Sequence, residues 1–203
     1  RGRVSVLGGG VAGLCAARVA AGMGADVTVF DVDVARMRYI DEVSGGRIGT
    51  RFSSPLAVRE ACGESDVVIG SVLVPGARTP HLVDHEMVLG MRPGSVLVDI
   101  AVDQGGCFED SHPTTHADPT FVVGGSVFYC VANMPGAVPH TSTYALTNAT
   151  MRYVLLLADE GWRGACGSRD DLRRGLATCG GKLVSAPVGE ALGIEAVPVS
   201  EVL

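Results

Sequence analysis

Short apolar runs alternate along this chain with longer Ala-rich or amphipathic stretches. Val4–Leu7 is an apolar run that meets Gly8-Gly9-Gly10-Val11-Ala12-Gly13, and the Ala-rich stretch Leu14–Met23 then ends at Gly24. That order predicts a strand, a tight turn and a helix with glycine just past its end. A second β-branched run, Val27–Phe30, ends in Asp31, and the alternation continues with a helix at Val34–Val43, a strand at Arg47–Phe52 and a helix at Leu56–Cys62. A strand at Val67–Val72, a helical stretch at Val83–Leu89 and a strand at Val96–Ile100 follow, with Thr120–Val123 and Val127–Val131 as further sheet strands. Strands that alternate with helices imply right-handed crossovers and a doubly wound parallel sheet covered on both faces, an α/β architecture of the Rossmann type.

Beyond Pro139 the pattern changes. Ser142 or Thr143 is placed to cap a long helix running through Ala145–Ala158 and closed by Gly161. Within it, Tyr153–Ala158 is apolar around the whole circumference, so a second surface is expected to cover its far side. Trp162–Leu203 reads as a Gly- and Arg-rich loop, a short helix at Asp171–Leu176, a strand at Lys182–Ser185 and a helix started by Pro187 and ended by Gly193. The expected division is 1–139 as a dinucleotide-binding domain and 140–203 as a tail belonging to a second domain.

Composition narrows the class. Hydrophobic residues make up 47% and charged residues 19% of the 203 residues, the make-up of a packed globular chain rather than a disordered one. A formal charge of −6 argues against a broad nucleic-acid footprint. Pro119–Met151 holds no Asp, Glu, Lys or Arg, but its glycines, prolines and Ser/Thr/Asn-rich half leave no continuous apolar span, and no membrane segment is expected. The six cysteines form no CxxC pair and read as reduced residues of a cytoplasmic protein. His81/His85 and His112/His116 have helical spacing but lie in Pro-rich segments, so they read as loop histidines and not metal ligands.

The chemistry concentrates in a few loops. Gly8-x-Gly10-x-x-Gly13 follows a strand, opens a helix, and is answered by Asp31 at the end of the next strand. In that context Gly8 permits the turn, Gly10 admits a pyrophosphate, Gly13 lets helix and strand approach, and the helix N-terminus offers N–H donors. Asp31 is suited to the adenosine ribose hydroxyls and opposes a 2′-phosphate, which favours NAD; Arg36, five residues on, complicates that preference. A glycine turn made only for packing is the competing reading. Ser71–Gly76, Asp99–Gly106 and Cys130–Gly136 lie where strand ends should converge on a ligand. Asp103 is there either an ordinary turn residue or an acid/base, Asn133 either a loop residue or a ligand contact, and Asp99 a structural residue.

The strings GGGVAG, VTVFDVD, VIGSVLVPGAR, VLVDIAVDQGGCFE, HPTTH, VFYCVANMPGAVP and TSTYALTNAT resemble bacterial alanine dehydrogenase over essentially the whole chain, which matches only the C-terminal half of that family's protein. The resemblance implies reversible oxidative deamination of L-alanine to pyruvate and ammonia with NAD as hydride acceptor. It implies that Asp103 is the catalytic aspartate, with Asn133 and Met134, after Val131 and Ala132, at the nicotinamide and substrate. Cofactor contacts carry over to Gly8, Gly10, Val11, Ala12, Gly13, Asp31, Arg36, Ser53, Val72, Leu73, Ile100, Ala101 and Val102. His112 falls where some relatives carry Arg near the cofactor. Only seven residues precede Gly8, where the family places a substrate domain, so the chain is expected to be a fragment that keeps the cofactor site and loses most turnover. The family is commonly hexameric, so a homo-oligomer is expected. The NAD-binding subunit of proton-translocating transhydrogenase, or a non-catalytic NAD-binding module, are the alternatives.

Overall fold

The computed structural model describes residues 1–74 and 79–203. Seven strands form one sheet: β1 (Arg3–Leu7), β2 (Asp26–Asp31), β3 (Gly49–Phe52), β4 (Val67–Gly70), β5 (Val96–Asp99), β6 (Thr120–Val123) and β7 (Ser126–Tyr129), in the order β3-β2-β1-β4-β5-β7-β6. All neighbouring strands pair in parallel except β6, which returns antiparallel along β7. That return needs only Gly124 and Gly125, whose positive φ angles of 58° and 89° suit a two-residue hairpin turn. The expected parallel sheet is therefore present, with an antiparallel edge.

Helices α1 (Val11–Gly22) and α2 (Val34–Ser44) cover one face, and α3 (Pro55–Glu64) and α4 (His85–Leu89) the other. Alternation along β1 and β2 sorts the two cores. Val4, Val6, Val27 and Val29 meet Leu14, Ala17 and Ile40, whereas Leu7 and Phe30 join Val58, Val68, Leu97, Phe108 and Phe128. Phe108 meets Phe128 edge-on at 6.1 Å, and Phe121 stacks on it at 5.0 Å. Hydroxyls buried between strands and their connections pair with each other, Ser65 with Ser5 at 2.8 Å and Ser95 with Ser126 at 2.9 Å, so none of these four is left as an unpaired polar group. Three of the crossover helices, α2, α3 and α4, start on side-chain caps: the Asp33 carboxylate accepts from the N–H groups of Ala35 and Arg36, the Ser54 hydroxyl from Ala57, and the Asp84 carboxylate from Met87.

The chain folds as two units, one holding Arg1–Leu73 and Thr79–Met134, the other holding Pro135–Leu203. In the second, helix α5 spans Pro139–Ser168 and departs from expectation at both ends. Neither Ser142 nor Thr143 caps it. The helix begins at Pro139, whose fixed φ suits a first turn, and the Ser142 hydroxyl donates instead to the Pro135 carbonyl at 2.8 Å. Gly161 does not end it; at φ 68° and ψ 166° it interrupts the helix, which resumes through Ser168, so Trp162–Ser168 is helical and not loop. Helix α6 (Asp170–Gly175) follows, and the expected strand at Lys182–Ser185 shortens to β9 (Lys182–Leu183), paired antiparallel with β8 (Thr178–Cys179) across Gly180-Gly181. Helix α7 (Ala186–Leu192) carries Pro187 in its first turn and closes on Gly193 at φ 66°. Along α5, Tyr144, Leu146, Met151, Val154, Leu155 and Leu157 are exposed.

Candidate functional site

The glycine turn joins the end of β1 to α1, beside β4, where the sheet order changes direction. Its glycines serve three different ends. Gly8 takes φ +99°, and a Cβ there would lie 3.0 Å from the Ser71 carbonyl. A Cβ on Gly13 would lie 2.0 Å from the Gly8 oxygen and 2.5 Å from the Ser71 hydroxyl, which is closer than atoms can pack. At Gly10, by contrast, nothing stands within 4 Å of that position. Helix α1 begins there without a side-chain cap, and Val11 and Ala12 are exposed, so the first N–H groups face an open cradle bounded by backbone. An anion is the group such a cradle fits.

Two charged residues frame the turn. The Asp31 carboxylate accepts from the Gly9 N–H at 2.6 Å and the Asp33 N–H at 2.9 Å. Arg36, in the first turn of α2, donates through Nε to the Gly9 carbonyl and through Nη2 to the Gly10 carbonyl at 3.3 Å, with its guanidinium 5.0 Å above the Tyr39 ring. Gly9 is thus held from both sides of its backbone. A Cβ there would lie 2.7 Å from Ile40 Cδ1 and 3.0 Å from Asp31 Oδ2, so a larger residue would have to displace both side-chain ends. The sequence motif leaves this position unspecified, and no local signal marks it. A carboxylate offers about four acceptor positions, so Asp31 retains capacity for ligand hydroxyls. The Ser53 N–H donates to the Asp31 carbonyl at 2.9 Å, which sets Ser53 beside it, on the wall of a cleft of about 260 Å³ lined also by Val58, His81 and Met87.

The loops after β4, β5 and β7 complete this rim. Val72 is half-buried and Leu73 exposed; Pro75 and Gly76, singled out with them in the sequence, lie outside the described residues. Ile100 is half-buried, Ala101 and Val102 are buried, and Asp103 is exposed in a single 3₁₀ turn over Val102–Gln104 closed by Gly105 at φ 101°. Val131 is buried, Ala132 and Met134 half-buried, and Asn133 exposed. Asn133 has φ 56° and is, among the described residues, the one non-glycine in the left-handed region. The ring of His116 supports it, donating from Nε2 to the Asn133 carbonyl at 3.1 Å. His112, the residue expected near the cofactor, is exposed, and its ring stacks on Phe121 of the edge strand at 3.8 Å. Sequence reasoning gives Ser71 no role of its own, yet its hydroxyl lies within hydrogen-bonding reach of the carbonyls of Leu7 and Gly8, at 3.0 and 2.8 Å, and ties the β4 loop to the turn.

Burial pushes the thiols of Cys62 and Cys107 up to about 12 and that of Cys130 to about 11, so all three are neutral near pH 7. Among the described residues, no group of three or more His, Cys, Asp or Glu side chains is arranged to hold a metal ion, and no helix is long and apolar enough to cross a membrane.

The profile of the family described as "Alanine dehydrogenase/PNT, C-terminal domain" matches residues 1–186. The chain belongs to this family. The alanine dehydrogenase of Mycolicibacterium smegmatis is 61% identical over 191 residues, which is 94% of this chain and 52% of that protein. A solved L-alanine dehydrogenase superposes with a TM-score of 0.83 at 47% identity, covering 95% of this chain and 53% of that one. The transhydrogenase of Sinorhizobium meliloti is more distant, with a TM-score of 0.62 and 31% identity over 70% of this chain and 42% of that one. The chain spans about half the length of the curated relatives it matches. The alanine dehydrogenase/PNT C-terminal fold accounts for the six-strand parallel sheet, its antiparallel edge and the long helix alike.

Proposed function

We propose that this chain is the NAD-binding half of an L-alanine dehydrogenase, and that the whole enzyme interconverts L-alanine, water and NAD with pyruvate, ammonium, NADH and a proton. The observation that carries the reading is topological. β1, β5 and β7 run in the same direction, so the glycine turn, Asp103 and Asn133 all follow carboxyl ends on one rim of one sheet, where open α/β sheets bind ligands.

The N–H groups opening α1 hold the pyrophosphate over Gly10. Asp31 accepts the adenosine ribose hydroxyls, and its charge disfavours a 2′-phosphate. Ser53, Val72, Leu73 and Ile100 line the path of the adenosine. When bound, NAD supplies the acceptor for the substrate's Cα hydride. Asp103 then takes and returns protons at its carboxylate as water adds to the imino acid and ammonia leaves. Asn133 and Met134 orient the reacting end. Residues 1–139 act as the cofactor domain and 140–203 as part of the substrate domain, in a cytoplasmic homo-oligomer whose contacts cover the exposed apolar side of α5. The transhydrogenase-subunit reading is weaker, since identity falls from 61% and 47% with alanine dehydrogenases to 31% there.

Calorimetric titration of this chain tests the cofactor assignment: NADH binds and NADPH binds far more weakly, whereas no NADH binding refutes it. For the reaction, the full polypeptide carrying this chain turns over L-alanine with NAD. Its Asp103→Asn variant loses turnover by about 10²-fold or more while NADH binding stays within a few fold. Intact turnover in that variant refutes the role of Asp103.

A further inference from the structure

Asp99 ends β5, four residues before Asp103, and its side chain is fully buried. Its Oδ1 accepts from the Ala101 N–H at 3.0 Å, and its Oδ2 accepts from the Cys107 N–H at 2.8 Å and the Ser111 hydroxyl at 2.5 Å. These donors bracket Asp103: Ala101 precedes it, and Cys107 and Ser111 follow. The chain can close over the carboxylate because residue 106 is glycine. Gly106 has φ +78°, and a Cβ there would lie 2.8 Å from Asp99 Oδ2 and 2.9 Å from Ser111 Cβ. A further bond from the Gly106 N–H to the Ala101 carbonyl, at 3.1 Å, ties the two feet of the loop to each other.

Burial raises the Asp99 carboxyl above its usual range, while the Ser111 hydroxyl and the Cys107 and Ala101 N–H groups pull it back. An apolar residue would fill the same space without that desolvation cost, but it could not hold both feet of the loop. We propose that Asp99 is the positioning residue of this site: its carboxylate fixes the turn that presents Asp103 to the nicotinamide end of the cofactor. The proposal rests on the assignment of Asp103 made above.

The test compares NADH with ADP-ribose, which shares the part of NADH held at the glycine turn and lacks the nicotinamide. Both are titrated calorimetrically into this chain as wild type, Asp99→Asn and Ser111→Ala. Asn keeps the size of Asp99 but turns one acceptor into an NH₂ facing N–H or O–H donors; Ser111→Ala removes one donor and serves if the first variant does not fold. Wild type prefers NADH, and each variant reduces that preference by about fivefold while ADP-ribose affinity stays within about twofold, the scale of one hydrogen bond. An unchanged NADH to ADP-ribose ratio in folded variants overturns the proposal, as does an equal loss of both ligands, which marks general destabilisation. A wild type with no preference for NADH overturns the placement of Asp103 as well, so the two failures are distinguishable.

Discussion

At the scale of single residues, the site depends on backbone approaching backbone. The Cβ that alanine would add at Gly13 falls 2.0 Å from the Gly8 oxygen, a backbone atom that no side-chain rotation can move away. Gly13→Ala is therefore expected to cost about 2–4 kcal/mol of stability and to weaken NADH binding by roughly tenfold or more, read by thermal melts and calorimetry. The same substitution at Gly10, where nothing lies within 4 Å, leaves the melt unchanged and affects binding alone. Burial also sets the response to alkali. Cys62 and Cys107 rise from an ordinary 9.0 to about 12 in the folded chain. A raised folded pKa means that the unfolded chain releases its protons first. The contribution is thus complete below pH 9 and is lost as pH rises from 9 towards 12. Denaturant titrations should show stability falling across that window, with less fall when Cys62 is replaced by Ala; a pH-independent midpoint contradicts this.

At the scale of elements, propensity and capping explain what the sequence pattern predicts well. Asp33, Ser54 and Asp84 precede helices and cap them in the structure, and two-glycine turns close both hairpins. The long helix is where local reasoning fell short. Gly161 is as consistent with an end as with an interruption, and the choice depends on what packs next: Ala165 and Cys166 are buried, which draws the following turns back into helix. With φ 68° and ψ 166°, Gly161 occupies a region that L side chains rarely adopt. Gly161→Ala should either straighten the helix, raising its ellipticity at 222 nm, or lower the melting temperature at a cost of about 1–3 kcal/mol. No change in either argues that the interruption carries no conformational constraint.

For the whole molecule, the parallel sheet with both faces covered explains why strand positions were legible: strands buried on two sides read as continuous apolar runs. The exposed apolar side chains of α5, with Tyr144 61% and Leu146 64% accessible, make this chain prone to associate. Size-exclusion chromatography with light scattering should show mass rising with concentration; a stable monomer at high concentration would sink that expectation.

The sequence by itself determined the alternation of elements, the glycine turn, its acidic partner Asp31 and the loops that carry Asp103 and Asn133. Those features are set by period, by turn chemistry and by residues whose backbone demands are local. Only tertiary structure decided that Gly9 packs against Ile40 and Asp31, that Ser71 ties β4 to the turn, that His116 supports the Asn133 loop and that His112 stacks on Phe121. It likewise decided that Asp99 gathers the ends of the Asp103 loop. The partners of Gly9, Ser71 and Asn133 lie many residues away or on separate loops, and their meeting follows from strand order, which no local pattern encodes; those of Asp99 lie within the single loop after β5, which the fold closes back on its own strand end.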